Sequence, residues 1–377
     1  MKIVIAPDSF KESLGAPAVA RAIEAGFRQV FADAEYLLIP VADGGEGTAE
    51  TLVAATGGYL ISTAVHDPLG KVIEASYGVD GKNKIAYIEM AAASGLELIL
   101  RGQRNPLFTG SYGTGEMILD ALRRGFRHLI LGIGGSATND GGAGMLQALG
   151  MGLFDANGTV IAPGGGCLGE LAKIDTSGLV PELKECRIQV ACDVNNPLTG
   201  ERGASAVFGP QKGATPAMVE KLDRNLTHWA DFIEREIQRD VRNVAGAGAA
   251  GGMGVALLAF LGAELQSGSD IVLQTVQLEQ AMEGADLVIT GEGRIDGQSI
   301  AGKTPIGVTR LANQKGIPVI AMAGCLGEGA ELVLNHGVTA LFPILPGLGS
   351  LEDTLVAAEE NLRATARNIA ATLNIRS

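Results

Sequence analysis

The chain has 377 residues, 54 of them glycine, with 4% aromatic residues and a formal net charge of −13. That length allows two domains and a sizeable core, and an apolar share dominated by Ala, Val, Ile and Leu suits helices packed closely on parallel strands, an α/β protein. The acidic balance argues against a nucleic-acid partner or an anionic membrane surface, while leaving room for one small anion held by local groups.

The four cysteines, Cys167, Cys186, Cys192 and Cys325, form no CxxC pair, and the four histidines are scattered, so neither a zinc cage nor a disulfide framework is indicated. The opening "MKIVIAPDSF" has too short an apolar run for a signal peptide, and "VALLAFLGAEL" falls short of a membrane span. A soluble, cytoplasmic protein is expected, with homo-oligomerisation left open.

In chain order, "KIVIAP" reads as a buried strand. Val19, Ile23, Phe27 and Val30 then recur at helical spacing behind Pro17, and "EYLLIPV" supplies a second strand. "LISTAVHDPLGKVIEASYGV" predicts two strands around Asp67-Pro-Leu-Gly70, and "MGLFDANGTVI" another hairpin around Asn157-Gly158. Glycine-rich stretches, "GIGGSATNDGGAG" and "GAGAAGGMG", punctuate this middle region without a fixed repeat period. Alternation resumes with "DLVIT" at 286 to 290, a helix from Ile306 to Leu311, "PVIAMAG", a short helix with Leu332 and Leu334, and "ALFPIL". One final helix is expected to carry Leu351, Leu355, Leu362, Ile369 and Leu373. Both chain ends together make a flavodoxin-like, doubly wound parallel sheet over 1–60 plus 284–377, with a large α+β domain, 61–283, inserted.

Three glycine motifs invite nucleotide readings. "GQSIAGKT" at 297 to 304 fits the P-loop pattern, but the strand is expected to end near Thr290, several residues too early, and Pro305 follows at once; coincidence is the better reading. "GIGGSA" and "GAGAAG" fit a loose dinucleotide pattern, for which close helix–strand packing, or anion cradling by backbone N–H groups at "GGSATNDGG", is an equal explanation.

Position gives a stronger argument. Ligands of open α/β sheets bind beyond the carboxyl ends of the strands, where the strand order reverses. This brings together "PDSFKES", "ADGGEGT" and "GEGRID", with Asp8, Ser9, Lys11, Asp43, Glu46, Glu292, Arg294 and Asp296. Acids for a metal and a proton, cations for a phosphate, and glycines for close backbone approach are what Mg²⁺-dependent phosphoryl transfer requires. Taken singly, each charge reads as a solvated loop residue; taken as a set, they do not. "VACDVNNPLTG" adds Asp193 after an apolar strand, where a turn cap is an equal reading.

These same loops, with "EMAAASGL", "FGPQKGA" and "TGEGRIDGQSIAGKTPIG", resemble over nearly the whole chain the bacterial glycerate kinases that form 2-phosphoglycerate. The resemblance implies ATP-dependent phosphorylation of D-glycerate at its 2-hydroxyl with Mg²⁺, and a flavodoxin-like domain carrying a large insert. It is not a P-loop family. Within that reading, Lys11 is the candidate for neutralising the transferred phosphate and Arg294 for the glycerate carboxylate. Asp193 or Asp296 would accept the hydroxyl proton, and Asp8, Asp43 or Glu292 would bind metal. Ser9, Gly44, Gly45, Glu46, Gly134, Gly135, Ser136, Asn139 and Asp140 are candidate substrate or nucleotide contacts. The rival readings are an NAD-dependent hydroxy-acid oxidoreductase and a non-catalytic flavodoxin-like binding module; neither explains the acid-rich loops.

Overall fold

The computed structural model describes residues 1–300, 302–347 and 349–375. In chain order its strands are β1 (Lys2–Ile5), β2 (Glu35–Leu38), β3 (Tyr59–His66), β4 (Val72–Asp80), β5 (Ile85–Glu89), β6 (His128–Gly132), β7 (Gly152–Phe154), β8 (Lys173–Asp175), β9 (Arg187–Ala191), β10 (Glu264–Gln266), β11 (Leu287–Ile295), β12 (Val319–Leu326) and β13 (Ala340–Pro343). The chain divides into two compact units. One comprises residues 1–43, 50–57 and 269–377, the other 44–49 and 58–268.

The first unit holds a wholly parallel sheet of order β13-β12-β11-β1-β2. Counted along this unit, the order is 2-1-3-4-5, the flavodoxin-like winding, with its switch point between β1 and β11. Alternate residues of one strand face opposite layers, as the period of two demands. Ile320 and Met322 join the core formed with Ile23, Phe27 and Leu362, while Ala321 and Ala323 join Val333 and Val338 on the other face. Helices Ala16–Arg28 and Ala358–Asn374 cover the first face, and Thr304–Gln314 and Leu332–Asn335 contribute to the second.

Two expectations for this unit change. The single final helix is two, Leu351–Val356 and Ala358–Asn374, and Leu351 is exposed rather than part of the apolar stripe. The strand expected to end near Thr290 continues to Ile295, pairing Arg294 with Cys325 and Ile295 with Leu326 of β12. Glycine permits the extension: a Cβ on Gly293 would stand 3.2 Å from Lys11 N and 3.3 Å from Phe10 Cα, so the chain leaving β1 lies directly on the strand.

The second unit is built on a six-stranded sheet of order β10-β9-β6-β5-β4-β3. The hairpin around Asp67–Gly70 forms as expected, β3 against β4 antiparallel. The hairpin expected around Asn157-Gly158 is reduced to a turn closed by Asp155 N donating to Thr159 O and an isolated bridge, Phe154 to Val160, while β7 pairs with β8. The rest of the main sheet, β5, β6, β9 and β10, is parallel, which local turn signals do not announce. A single core with Trp229, Tyr77 and Met117 at full burial packs against it. None of the described helices is long and apolar enough to cross a membrane.

Candidate active site

In the first unit the charged residues gather at the carboxyl ends of β1 and β11, at the switch point. Asp8 N donates to Gly291 O at 2.8 Å, which fixes the residue beside β11. Its buried carboxylate accepts from Ser9 N at 2.6 Å and from Thr304 Oγ1 at 2.8 Å. Burial, and then the charge of Asp43, push the Asp8 carboxyl up to about 7. Glu292, on the extended part of β11, accepts from Ser299 Oγ at 2.6 Å and lies 3.6 Å from Lys303 Nζ. Burial raises its pKa, Ser299 and Lys303 oppose the rise, and Asp43 adds to it. Lys11 reaches Asp43 at 3.4 Å, and that charge holds its ammonium above the usual lysine range.

Arg294 and Asp296 pair with each other at 3.1 Å, with Arg294 largely exposed. Asp296 also accepts from Gln298 N at 2.9 Å, and this backbone bond is the first cause that lowers its pKa. Asp296 is therefore a committed carboxylate and a weak base.

The P-loop-like segment takes a place that sequence reasoning denied it. With β11 ending at Ile295, the segment starts two residues later, Lys303 caps the helix Thr304–Gln314, and Pro305 sits harmlessly in its first turn. Its polar side chains are spent on acids: Ser299 and Lys303 on Glu292, Thr304 on Asp8. Ala301, an interior position of the pattern, lies outside the described residues.

Asp8, Asp43 and Glu292 do not form a ready cage: among the described residues no three His, Cys, Asp or Glu side chains stand close enough to hold a metal ion. The donor set nevertheless suits Mg²⁺. It offers hard carboxylate oxygens whose upward shifts come first from burial and then from the neighbouring Asp43 charge, both of which a divalent cation offsets, and Mg²⁺ commonly takes only one or two carboxylates beside phosphate and water.

In the second unit the carboxyl ends of parallel β5, β6 and β9 carry Glu89, Gly132–Ser136 and Asp193. Residues 44–49 belong to this unit and are seated on those ends. Gly44 adopts φ of +87°, and a Cβ there would meet Gly268 Cα at 2.6 Å and Ala191 Cβ at 2.7 Å. Glu89 accepts from Gly47 N at 3.2 Å and Ala49 N at 2.7 Å, so its carboxylate shapes the loop. A Cβ on Gly134 would lie 4.0 Å from Gly45 Cα, which puts these two glycine loops side by side, and Glu46 is exposed. Asp193, exposed, accepts from Gly268 N at 3.1 Å.

Asn139 and Asp140 are fully buried. Asp140 accepts from Ser111 N and Oγ and from the N–H groups of Gly142 and Gly144, so it pins the turn that follows β6. Asn139 donates to Ser205 Oγ at 2.9 Å. Sequence reasoning missed Glu89 and Lys212; the second is fully buried behind this turn. The motifs "EMAAASGL" and "FGPQKGA" contain them, but a single Glu or Lys in such a stretch reads as solvated.

The glycerate kinase family profile matches residues 3–374. The chain is 57% identical to Escherichia coli glycerate 2-kinase over 375 residues, covering 100% of this chain and 98% of that one. It is 54% identical to a Bacillus subtilis glycerate kinase with the same coverage. The crystal structure of a glycerate kinase 2 candidate from Salmonella typhimurium LT2 superposes with a TM-score of 0.92 at 57% identity, over 100% of this chain and 98% of that one. On the full-length match the chain belongs to the glycerate kinase family.

Proposed function

We propose that the protein transfers the γ-phosphoryl group of ATP to the 2-hydroxyl of D-glycerate, giving 2-phospho-D-glycerate and ADP. The observation that carries the reading is the end-to-end identity with a relative named for 2-phosphorylation, joined to an acid and cation cluster at the switch point. In the reaction the hydroxyl oxygen forms the new bond to phosphorus, the bond from the γ-phosphorus to its bridging oxygen breaks, and the hydroxyl proton passes to a carboxylate.

Asp8, Asp43 and Glu292 are the residues that would hold Mg²⁺, which when bound neutralises phosphate charge. Lys11 supplies a cation to the transferring group, because its ammonium stays protonated across the physiological range. Arg294, with an exposed guanidinium, serves the acid's carboxylate. Of the two carboxylates expected to take the proton, we choose Asp193, because the Gln298 N–H bond lowers the Asp296 pKa and makes it a weak base. Ser9, Gly44, Gly45, Glu46, Gly134, Gly135 and Ser136 contact the substrates through their loops. Asn139 and Asp140, buried as they are, support the last three from behind.

ADP release from Mg·ATP should depend on added D-glycerate and cease when EDTA removes the metal. ATP use that ignores D-glycerate would refute the reading.

A further inference from the structure

Lys212 is 1% exposed, and its ammonium donates to Ser136 Oγ at 2.8 Å and to the Thr138 carbonyl at 2.6 Å. Both acceptors are neutral. Asp140 is the one ionised group acting on it, and the Asp140 oxygens are already taken by four donors. A buried ammonium held only by neutral groups is costly, and burial pushes the Lys212 amine down to about 7.

The turn in front of it is only partly hydrogen-bonded. Gly135 O accepts from Leu96 N at 2.8 Å, Ala137 O from Thr109 Oγ1 at 2.8 Å and Thr138 O from Lys212, while Ala137 N donates to Ser94 O at 2.9 Å. The exposed donors before Ala137 are open. Among the described residues no acceptor bonds the N–H groups of Gly134, Gly135 or Ser136. Gly134 and Gly135 are exposed, and Gly135 has φ of +71°, a change of hand that turns successive N–H groups toward one side. Open donors in front and an uncompensated positive charge behind select for an anion.

We propose that Lys212 is a positioning residue for an oxyanion held at the Gly134–Ser136 turn, either the carboxylate of a small hydroxy acid or a phosphate of a nucleotide. Through Ser136 Oγ and Thr138 O it fixes the turn, and its charge completes the site. An anion bound there also favours the ammonium over the amine, so binding draws a proton.

The inference rests on the function proposed above, and the test separates the two by measuring binding without turnover. Calorimetry at pH 8, in two buffers of different ionisation enthalpy, would compare wild type with Lys212→Met for D-glycerate alone and for ADP alone. For one of the two ligands the variant should bind at least about tenfold more weakly and lose a proton uptake that the wild type shows; which ligand responds identifies the anion. Equal affinity and equal proton uptake for both ligands would overturn the inference, as would a wild type that binds neither. A merely structural lysine would lower the thermal midpoint and leave proton uptake unchanged. Should Lys212→Met not fold, Ser136→Ala, which keeps the lysine and removes one of its two bonds to the turn, should weaken the same ligand several-fold; unchanged binding would overturn it. A wild type that binds D-glycerate without phosphorylating it refutes the proposed function and leaves this inference standing.

Discussion

The acid cluster of the first unit and the Gly134–Ser136 turn of the second both lie at the carboxyl ends of parallel strands, yet the ionisable groups that burial acts on there are of opposite sign. At buried Asp8 and half-buried Glu292, the carboxyls are pushed up by burial and then by Asp43. At Lys212, a buried ammonium has only neutral acceptors. In an ordinary core such groups would be paired or replaced by apolar ones. The proposed function and the inference from Lys212 finish each unit with something of the opposite sign: a divalent cation in the first, an oxyanion in the second.

The largest expected effect breaks the first half of this contrast. Lys11→Met should lower kcat by roughly 10² to 10³, because a preorganised cation facing developing phosphate charge acts in the transition state. Its exposed pair with Asp43 is worth about 0–1 kcal/mol, so the thermal midpoint should barely move. Near-normal turnover would transfer the role to Arg294.

Thr304→Val comes next. It leaves a buried Asp8 oxygen without its hydroxyl donor and should cost about 1–3 kcal/mol of stability in urea unfolding. A neutral outcome would mean that water replaces the hydroxyl.

Lys303→Ala should be milder, within about tenfold in ATP use, since a true P-loop lysine would contribute a transition-state contact typically worth 10² or more. Lys303 lies 3.6 Å from Glu292, so what its loss should change is the acid's titration rather than phosphate binding. A loss of several orders of magnitude would restore the P-loop reading.

The subtlest prediction sharpens the second half. Because burial lowers the folded pKa of Lys212 from 10.5 to about 7, the unfolded chain binds more protons between those values, and this group's contribution to stability rises with pH across the window. The thermal midpoint of wild type minus that of Lys212→Met should therefore climb from pH 7 toward 10. A flat difference would place the amine in contact with water.

Much of this was legible in the sequence. Strict alternation of apolar runs and helical periods marked the strands of the first unit, and the switch-point rule then gathered Asp8, Lys11, Asp43 and Glu292 before any coordinates. The β11 extension was not legible, because "GEGRI" has the composition of a loop; it is a strand only because Gly291 and Gly293 let β12 and the Phe10–Lys11 backbone approach. The parallel strands of the second unit were hidden for a related reason. "IAYIE", "HLILG" and "RIQVA" pair with segments distant in the chain, whereas a hairpin such as β3–β4 advertises itself through its turn. Lys212 was illegible because its burial is a property of the packed chain. Asp140 was picked out as polar in a glycine-rich loop, but nothing local says that Ser111, Gly142 and Gly144 would consume its oxygens.

The position of phosphorylation tests the central claim most directly. With Mg·ATP and D-glycerate, the product should be consumed by enolase without a mutase, as 2-phosphoglycerate is. Product that enolase accepts only after a mutase is added would be 3-phosphoglycerate and would contradict the claim.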